Sequence, residues 1–515
     1  MAQHILIAGG GSAGWMAAAL FARLRPAPET RITLIESEAI GTIGVGEATV
    51  PILRDFNRLL GLDEPDFVAA TQGSFKLGIE FVGWGEAGNR HFHGFADFGP
   101  PIEGVAPHHH WHRVREAGRI ADPIDAWSMP ACAAAEDRFA PPEALRGEAG
   151  EYRYAYHFDA GLYARLLRSY AEARRVVRVE GRILGVERDP GTGDLATLRL
   201  DGDRAIAADL FIDCTGFASR LLGEALGTPF VDWSRWLPAD RALAQGCTRA
   251  GRFTPFTRAT AHTVGWQWRI PLQHRTGNGL VYSSAHLSDD EAAARLAANL
   301  DGDAIGDPRP LRFTTGRRER FWAHNVVAIG LAAGFMEPLE STSLQLVQTG
   351  LGRLAELMPS QGPTDPAIVA EYNRQTIGEY ARIRDFLIAH YCSSRRPEPF
   401  WRDMAAMALP DSLAHKLALW DAMGRVPLHD LESHAEASWV AVLLGQGRMP
   451  RGHDPAADRP PLQAVEKMFA ARRAALLAAL PRLPAHDHFV ARTCRADAAR
   501  EPRIQCRYPK GETIS

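Results

Sequence analysis

The N-terminal part of the chain has the hydrophobic pattern of a buried parallel strand followed by a helix. An apolar run at residues 4–8 predicts the strand, and small and apolar residues at 13–25 predict the helix. A second apolar run at 31–35 ends at Glu36. A strand, a glycine-rich turn, a helix, a second strand and an acid in this order predict a dinucleotide-binding α/β fold.

The pattern changes to period two between residues 74 and 82, which is typical of a strand. The apolar residues at 75, 77, 79 and 81 share one face, whereas Lys76, Gly78 and Glu80 share the other. A lysine on such a face usually points to solvent, so Lys76 needs an enclosed site before it can act chemically. Residues 85–150 are rich in glycine, proline, histidine and aromatic residues, and we predict long loops there.

The rest of the pattern predicts a core that is assembled from separated segments. Short strands and one helix precede residue 212, and further strand signals run from 245 to 330. The predicted helices are 159–174, 343–358, 366–391 and 463–480. We therefore predict a core with an inserted mixed sheet at 1–350, a mostly helical covering part at 351–485 and a polar tail at 486–515.

Composition and charge exclude several classes of protein. The 515 residues are 46% hydrophobic and 23% charged, with a net charge of −3, so the basic excess of a nucleic-acid-binding protein is missing. No apolar run reaches the roughly 20 residues of a membrane helix, and glycines interrupt the apolar N-terminus, unlike a signal peptide. The cysteines are scattered without the spacing of disulfides or a zinc site. We expect a cytoplasmic protein that binds neither nucleic acid nor membrane.

The histidine-rich segment 108–112 raises the question of a metal site. A zinc site needs a set of ligands with a defined spacing, and no second ligand cluster accompanies these histidines in the sequence. We therefore expect a solvated loop and no metal.

The glycine-rich turn after the first strand has the spacing of a phosphate-binding motif. Gly9, Gly11 and Gly14 would let the backbone approach a pyrophosphate, whose charge the following helix N-terminus favours. Glu36 lies 22 residues after Gly14, close to the spacing of a carboxylate that binds a ribose hydroxyl. The alternative is a plain glycine turn with a solvated Glu36.

Two later segments favour FAD over NAD as the dinucleotide. Residues 209–216 and 326–334 each form an apolar strand that runs into a glycine turn, with Asp213 and Gly330 as candidate cofactor contacts. Large flavoproteins of the aromatic hydroxylase type return to the cofactor with such segments, although each segment alone could be an ordinary core strand. The sequence thus predicts an FAD monooxygenase-like fold.

Four further motifs give the chain a specific resemblance. GWQWRIP at 265–271 matches the signature GWxWxIP at every fixed position. The segments 41–51, 335–343 and 74–78 resemble a flavin-contacting loop, the halide motif FxxPxxSxG and the segment that bears a catalytic lysine. With these motifs the sequence resembles the flavin-dependent halogenases, the tryptophan halogenase family, outside its branch specific for free tryptophan.

The resemblance implies a halogenation reaction. In this family, reduced FAD and dioxygen convert chloride or bromide to hypohalous acid, which travels through the protein to an electron-rich aromatic substrate such as an indole. Lys76 matches the family lysine that binds the hypohalous acid. Glu340 matches its partner carboxylate, which could polarise the halogenating agent or accept the ring proton.

The other matched residues would bind the cofactor, the halide and the substrate. Two tryptophans fit a rigid wall between flavin and substrate, although on their own they would be ordinary core aromatics. A helix N-terminus would attract the halide, although the same residues could be a simple helix cap. The matched positions are Gly46, Glu47 and Ala48 for the flavin, Thr342 and Ser343 for the halide, and Trp266, Trp268, Ile270, Pro271, His93 and Phe95 for the substrate and its tunnel.

Two departures from the family pattern concern the halide and the substrate. Ser343 stands where the halide motif has glycine, and serine tolerates a positive φ poorly, so the halide site is expected to differ in shape. The C-terminal part lacks an obvious copy of the aromatic cluster that clamps free tryptophan. An indole, a pyrrole, a phenol or a peptide-linked aromatic is at least as plausible a substrate.

Two other functions remain open on the sequence alone. A flavin-dependent aromatic monooxygenase shares the fold but does not need Lys76, Glu340 or the tryptophan pair, and a non-catalytic flavoprotein needs none of them. No nicotinamide-binding domain is apparent, so a separate NAD(P)H-dependent flavin reductase is the expected partner. The sequence leaves open the halogenated carbon, the choice of halide and the oligomeric state, a homodimer included.

Overall fold

The computed structural model describes residues 2–25, 27–39, 46–145, 147–359, 362 and 364–496. In these residues the strands are β1 (Gln3–Ala8), β2 (Thr30–Glu36), β3 (Gly46–Ala48), β4 (Ser74–Lys76), β5 (Gly78–Val82), β6 (Arg90–Gly94), β7 (Ala155–Asp159), β8 (Val177–Glu180), β9 (Ile183–Arg188), β10 (Leu195–Leu200), β11 (Arg204–Ala207), β12 (Leu210–Asp213), β13 (Phe230–Asp232), β14 (Arg241–Cys247), β15 (Thr257–Ala261), β16 (Trp266–Pro271), β17 (Thr276–Tyr282), β18 (Ala304–Arg312), β19 (Gly316–Arg318), β20 (Trp322–Ala323), β21 (Val326–Ala328) and β22 (Gly334–Phe335).

The α-helices of the described residues are concentrated in the second half of the chain. They are α1 (Ser12–Leu24), α2 (Ile52–Leu60), α3 (Glu64–Ala70), α4 (Pro107–Glu116), α5 (Met129–Ala135), α6 (Ala160–Glu172), α7 (Asp289–Ala298), α8 (Ser343–Leu357), α9 (Pro366–Cys392), α10 (Pro399–Ala406), α11 (Asp411–Met423), α12 (Glu436–Gly445), α13 (Leu462–Ala479) and α14 (His486–Thr493). None of these helices is both long enough and apolar enough to cross a bilayer.

A six-stranded sheet with the order β20-β21-β12-β1-β2-β8 forms one half of the molecule. β1 pairs in parallel with β12 and β2, and β12 pairs in parallel with β21. β1 is a continuous apolar run because a parallel sheet is covered on both faces, and Ile5, Leu6 and Ile7 are fully buried. The predicted α/β architecture is confirmed, and the carboxyl ends of β1, β12 and β21 meet at one edge.

A seven-stranded mixed sheet with the order β18-β14-β17-β16-β15-β5-β6 forms the other half. β16 carries residues 266–271 and lies inside this sheet, antiparallel to both β15 and β17. Every residue of β16 is buried, so both faces of the strand are covered. The inserted mixed sheet that the sequence predicts is present.

A small three-stranded sheet with the order β3-β7-β4 connects the segment 46–48 to the strand that bears Lys76. β7 is antiparallel to both neighbours, with Asp159 opposite Gly46 and Ala155 opposite Lys76. The segment 46–48, which matches a flavin-contacting loop, is therefore one strand away from the strand that bears Lys76.

The single strand predicted at 74–82 is divided between two sheets. β4 belongs to the small sheet and β5 to the seven-stranded sheet, and the chain changes partners at Leu77, whose N–H donates to Pro255 O. The sequence pattern marked the side of Lys76 as the polar face, yet Lys76 is fully buried. A period-two pattern shows which residues share a face, but it does not show whether another layer covers that face.

Residues 85–150 are more regular than the predicted loops, because they contain β6, α4 and α5. The expectation of a solvated loop at 108–112 is wrong, since this segment lies in α4 and its histidines are buried. His108 Nε2 donates to Gly424 O and His112 Nε2 donates to Pro450 O, both at 2.9 Å. The sequence pattern missed this helix because its buried positions are occupied by histidines with backbone hydrogen bonds and not by apolar residues.

The polar tail predicted from residue 486 begins with a helix that packs on the core. His486 is fully buried; its Nε2 accepts from Phe75 N–H at 3.2 Å and its Nδ1 donates to Phe253 O at 2.9 Å. α14 thus holds the strand that bears Lys76. Residues 497–515 of the predicted tail lie outside the described residues.

Candidate active site

The Lys76 side chain is fully enclosed at the end of β4. Its Nζ donates hydrogen bonds to Thr49 O at 2.9 Å and to Ser341 Oγ at 2.8 Å, and lies 5.5 Å from the centre of the Phe95 ring. Burial lowers the pKa of Lys76 to about 7, although the charge of Glu340 acts in the opposite direction. The amine can therefore gain or lose a proton near neutral pH.

Glu340 ends a short helical turn, Pro338–Glu340, and is also buried. His93 Nδ1 lies 3.0 Å from its Oε2, and His390 Nε2 lies 2.8 Å from its Oε1. Burial alone would raise the pKa of Glu340, but His93 and His390 together hold it well below its usual range. Glu340 is therefore a buried carboxylate whose negative charge is stabilised by two imidazole rings.

Ser341 links the two predicted catalytic residues. Its Oγ accepts a hydrogen bond from Lys76, and it directly follows Glu340 in the chain. Ser341 has a φ of +61°, in the left-handed region that residues other than glycine rarely adopt. Lys76 and Glu340 form no ion pair with each other in the described structure, so they are neighbours that are joined through Ser341.

Three partners of this site were not predicted from the sequence. His390 lies on α9, and nothing in the helical pattern there distinguishes it from a core residue. Thr49 acts through its backbone carbonyl, which has no signal in sequence. Ser341 could have been found, because it is the fixed serine of the FxxPxxSxG motif.

The predicted halide residues, Thr342 and Ser343, stand at the N-terminus of α8. The first N–H groups of a helix have no acceptor within the helix, and the helix dipole favours an anion there. Thr342 is buried, and its side chain makes no capping hydrogen bond. The residue with a positive φ is Ser341, whereas Ser343 is the first residue of the helix. The reason for expecting a distorted halide site at Ser343 is therefore wrong.

β16 places Trp266 and Trp268 side by side, with their ring centres 6.1 Å apart and both side chains buried. Ile270 is buried too, and Pro271 O accepts a hydrogen bond from Ser74 Oγ at 2.7 Å. Ser74 belongs to the same short strand as Lys76. The tryptophan-bearing strand and the lysine-bearing strand are therefore held together by a buried hydrogen bond.

The glycine turn after β1 has the shape that a dinucleotide pyrophosphate needs. Gly9 has a φ of +111°, and a Cβ added there would lie 2.2 Å from Cys214 O; one added at Gly14 would lie 1.8 Å from Gly9 O. A Cβ added at Gly11 would meet nothing within 4 Å, so this side of the turn is open. A turn whose inner side is closely packed and whose outer side is open, in front of α1, fits the pyrophosphate of a dinucleotide.

The other predicted cofactor residues of the six-stranded sheet differ in the contacts that they make within the protein. Glu36 lies beside the turn, where Arg178 Nε is 2.5 Å from its carboxylate. Gly330 has a φ of +68° and lies against Ala13 of α1. Asp213 is fully buried, and its carboxylate accepts hydrogen bonds from Leu221 N–H and Leu222 N–H, both at 2.9 Å. The Asp213 carboxylate therefore orders the segment after β12.

The second predicted flavin-contacting segment is partly described. Gly46, Glu47 and Ala48 form β3, and burial raises the pKa of Glu47 to about 7. Residues 41–45 of the same motif lie outside the described residues.

α4 and α12 bring His108, His109 and Glu436 together, with one candidate ligand atom from each within 4.8 Å. This grouping was missed from the sequence because Glu436 is distant along the chain. His109 Nδ1 accepts a hydrogen bond from Asp454 N–H at 3.2 Å. A neutral His109 then carries its proton on Nε2, which makes that atom a donor and not a metal ligand.

Comparisons with known proteins identify the family of the chain. The family model for tryptophan halogenase matches residues 4–461. A tryptophan 6-halogenase from Streptomyces toxytricini is 33% identical over 502 residues, which cover 92% of this chain and 94% of the relative.

Solved structures agree with this match. A flavin-dependent halogenase from Xanthomonas campestris has a TM-score of 0.93 at 46% identity, covering 97% of this chain and 100% of that one. Another from Brevundimonas sp. BAL3 has a TM-score of 0.91 at 43% identity, covering 95% and 99%. Because these matches span nearly the whole chain, the chain belongs to the tryptophan halogenase family and is a flavin-dependent halogenase.

Proposed function

We propose that this halogenase uses reduced FAD and chloride or bromide to halogenate a small electron-rich aromatic substrate such as an indole, with Lys76 and Glu340 at the reacting atoms. The observation that carries the proposal is the fully buried Lys76 amine, which is joined through Ser341 to the buried Glu340 carboxylate. A structural lysine usually reaches solvent or pairs with a carboxylate, whereas Lys76 donates only to a carbonyl and a hydroxyl.

The glycine turn in front of α1 and the segment Gly46–Ala48 would hold FAD, and the N-terminus of α8 would hold the halide. Bound reduced FAD would supply, together with dioxygen, the oxidising equivalent that turns the halide into hypohalous acid. A separate NAD(P)H-dependent flavin reductase delivers the reduced cofactor, since no nicotinamide-binding domain is apparent in the sequence.

Lys76 in its charged form donates a hydrogen bond to the oxygen of hypohalous acid and weakens the oxygen–halogen bond. An aromatic carbon then attacks the halogen and the oxygen–halogen bond breaks, while Lys76 gives a proton to the leaving hydroxide, which departs as water; the proton that Glu340 takes from the ring restores the charge of Lys76. Glu340 accepts the proton that the halogenated ring carbon must lose, for which its ionised state is suited. The net change is the replacement of a ring hydrogen by halogen, with hypohalous acid converted to water.

Rings near Glu340 favour an aromatic substrate. Phe386 lies 5.8 Å from the His93 ring, 3.9 Å from the His434 ring and 4.8 Å from the Trp439 ring. The relative from Streptomyces toxytricini is named for tryptophan. The C-terminal part of the sequence lacks an obvious copy of the aromatic cluster that clamps free tryptophan, so we place indoles ahead of free tryptophan.

The test incubates purified protein with FAD, a flavin reductase, NADH, oxygen and a panel of indoles, with chloride or bromide, and measures product mass. The expected product carries one halogen. The variant Lys76→Ala should lose at least 100-fold in halogenation rate while FAD affinity stays within about threefold. Oxygen-bearing products alone, or full activity of Lys76→Ala, would contradict the proposal.

A further inference from the structure

A second buried glutamate, Glu337, lies three positions before Glu340 in the same loop. It is 1% exposed, yet neither of its carboxyl oxygens has a hydrogen bond of good geometry in the described structure. Glu340 has two histidines as charge partners, whereas Glu337 has no ion pair with a described Lys, Arg or His side chain. A buried unpaired carboxylate costs several kcal/mol, so this carboxyl needs another explanation.

Two other buried polar atoms lie around the same carboxyl, Trp266 Nε1 and Tyr391 Oη, and among the described residues neither makes a hydrogen bond of good geometry. Both groups act on Glu337 as hydrogen-bond donors and thereby oppose burial, which raises the pKa of Glu337 to about 7. Trp266 and Tyr391 are each 1% exposed. Three neighbouring buried polar groups whose hydrogen bonds to one another are poorly aligned rarely occur by chance in a folded protein, because each such group costs free energy.

The indole N–H of Trp266 is held differently from the indole N–H groups of the neighbouring tryptophans. Trp266, Tyr391, Trp84 and Trp401 form one buried cluster, in which Trp84 lies 6.2 Å from Trp266 and 5.5 Å from Tyr391. Trp84 Nε1 donates to Ala259 O at 3.0 Å, and Trp401 Nε1 donates to His262 O at 2.7 Å. Backbone carbonyls thus fix two of the indoles, whereas the N–H of the Trp266 indole faces the Glu337 carboxyl and the Tyr391 hydroxyl.

We propose that Glu337 is a positioning residue that acts in its neutral form and holds the Trp266 indole in place through the indole N–H. The carbonyl oxygen of the acid accepts from Trp266 Nε1–H, and its hydroxyl and Tyr391 Oη form the second hydrogen bond. One loop then carries two glutamates in opposite states: Glu340 ionised at the reacting atoms, and Glu337 neutral behind the tryptophan wall. The inference rests on the proposed function, in which Trp266 separates the cofactor from the substrate.

A mispositioned Trp266 should not stop reduced FAD from being oxidised, but it should let oxidising equivalents escape before they reach the substrate. The quantity to measure is therefore the coupling ratio, the amount of halogenated product per reduced FAD oxidised. We expect Glu337→Leu to lower this ratio at least fivefold while the rate of FAD oxidation and the FAD affinity stay within twofold. Glu337→Gln, which keeps an acceptor and a donor without charge, should keep the ratio within twofold of wild type.

The control is a double-mutant cycle with Trp266→Phe, which removes the indole N–H. If Glu337 acts through Trp266, adding Glu337→Leu to Trp266→Phe lowers the coupling ratio no further. Equal losses in Glu337→Gln and Glu337→Leu, additive losses in the double variant, or full coupling in Glu337→Leu would each overturn the inference. Failure of wild-type protein to give any halogenated product would instead overturn the proposed function. Thermal melting of every variant separates these results from loss of folding, and an unfolded Glu337→Leu is replaced by Glu337→Met.

Discussion

At the scale of single residues, Lys76 and Glu340 are equally buried but differ in charge: burial favours the neutral amine of Lys76, whereas Glu340 stays ionised. Lys76 donates its hydrogen bonds to neutral acceptors, so burial dominates and lowers its pKa to about 7. Glu340 is equally buried, but the imidazoles of His93 and His390 keep it ionised. The partners, rather than the depth, decide which of the two groups remains charged.

The charge of Glu340 gives a direct kinetic prediction. Glu340→Gln keeps the size of the side chain and a polar contact to His93, but it removes the group that accepts the ring proton. We expect kcat for halogenation to fall by about 100-fold to 10,000-fold, with FAD affinity unchanged. Single-turnover halogenation with saturating reduced FAD measures this. A kcat within threefold of wild type would mean that water or another base takes the proton.

At the scale of secondary-structure elements, the N-terminus of α8 collects the predicted halide residues. Its geometry is set by the turn before it, in which Ser341 takes the left-handed conformation and Thr342 precedes the first helical residue, Ser343. The substitution of the motif glycine by Ser343 therefore falls at a position where the backbone accepts any L-residue. Serine at this position therefore needs no strained backbone conformation.

Restoring the family glycine tests this point. Ser343→Gly should change the KM for chloride and for bromide by less than threefold, and it should lower stability by about 0.5–1 kcal/mol because glycine loses more backbone entropy in a helix. Steady-state kinetics at varied halide and urea unfolding measure the two effects. The matched variant Ser341→Gly removes the hydroxyl that accepts from Lys76, and we expect it to lower halogenation at least tenfold. A halide KM that shifts tenfold in Ser343→Gly would show that the Ser343 side chain shapes the site.

At the scale of the whole molecule, the Lys76 amine is enclosed by segments that are far apart in sequence. Thr49, Phe95 and Ser341 contact it directly, and α14 holds its strand through His486. Enclosing an amine in this way costs stability, because an unfolded chain would hydrate and protonate it. The fold therefore retains a destabilising group at its centre.

This cost should appear in the pH dependence of stability. The folded pKa of Lys76 is about 7 and the ordinary value is 10.5, so between these limits the unfolded chain binds more protons and stability rises with pH. Lys76→Met removes this contribution. We expect wild type to gain about 3 kcal/mol relative to Lys76→Met between pH 7 and pH 9.5. Urea unfolding at both pH values measures the difference; parallel pH profiles would show that the buried amine keeps an ordinary pKa.

The sequence by itself determined the elements and the motif residues that depend on a local pattern of residues. Apolar runs and glycine spacing predicted β1, α1 and β2, and the family matches of GWQWRIP, of segment 335–343 and of segment 74–78 led to the tryptophan pair, Glu340 and Lys76. Such features can be read from the chain because strand and helix periods, and the steric need for glycine, act over a few residues.

Only the tertiary structure decided which faces are covered and which distant groups meet. It buried Lys76 and the histidines of α4 and brought His390 to Glu340. It also directed the Asp213 carboxylate to the backbone N–H of Leu221. It also set the buried Glu337 carboxyl against Trp266. Burial and charge pairing mostly arise between segments that are tens to hundreds of residues apart, and no local period of the sequence encodes them.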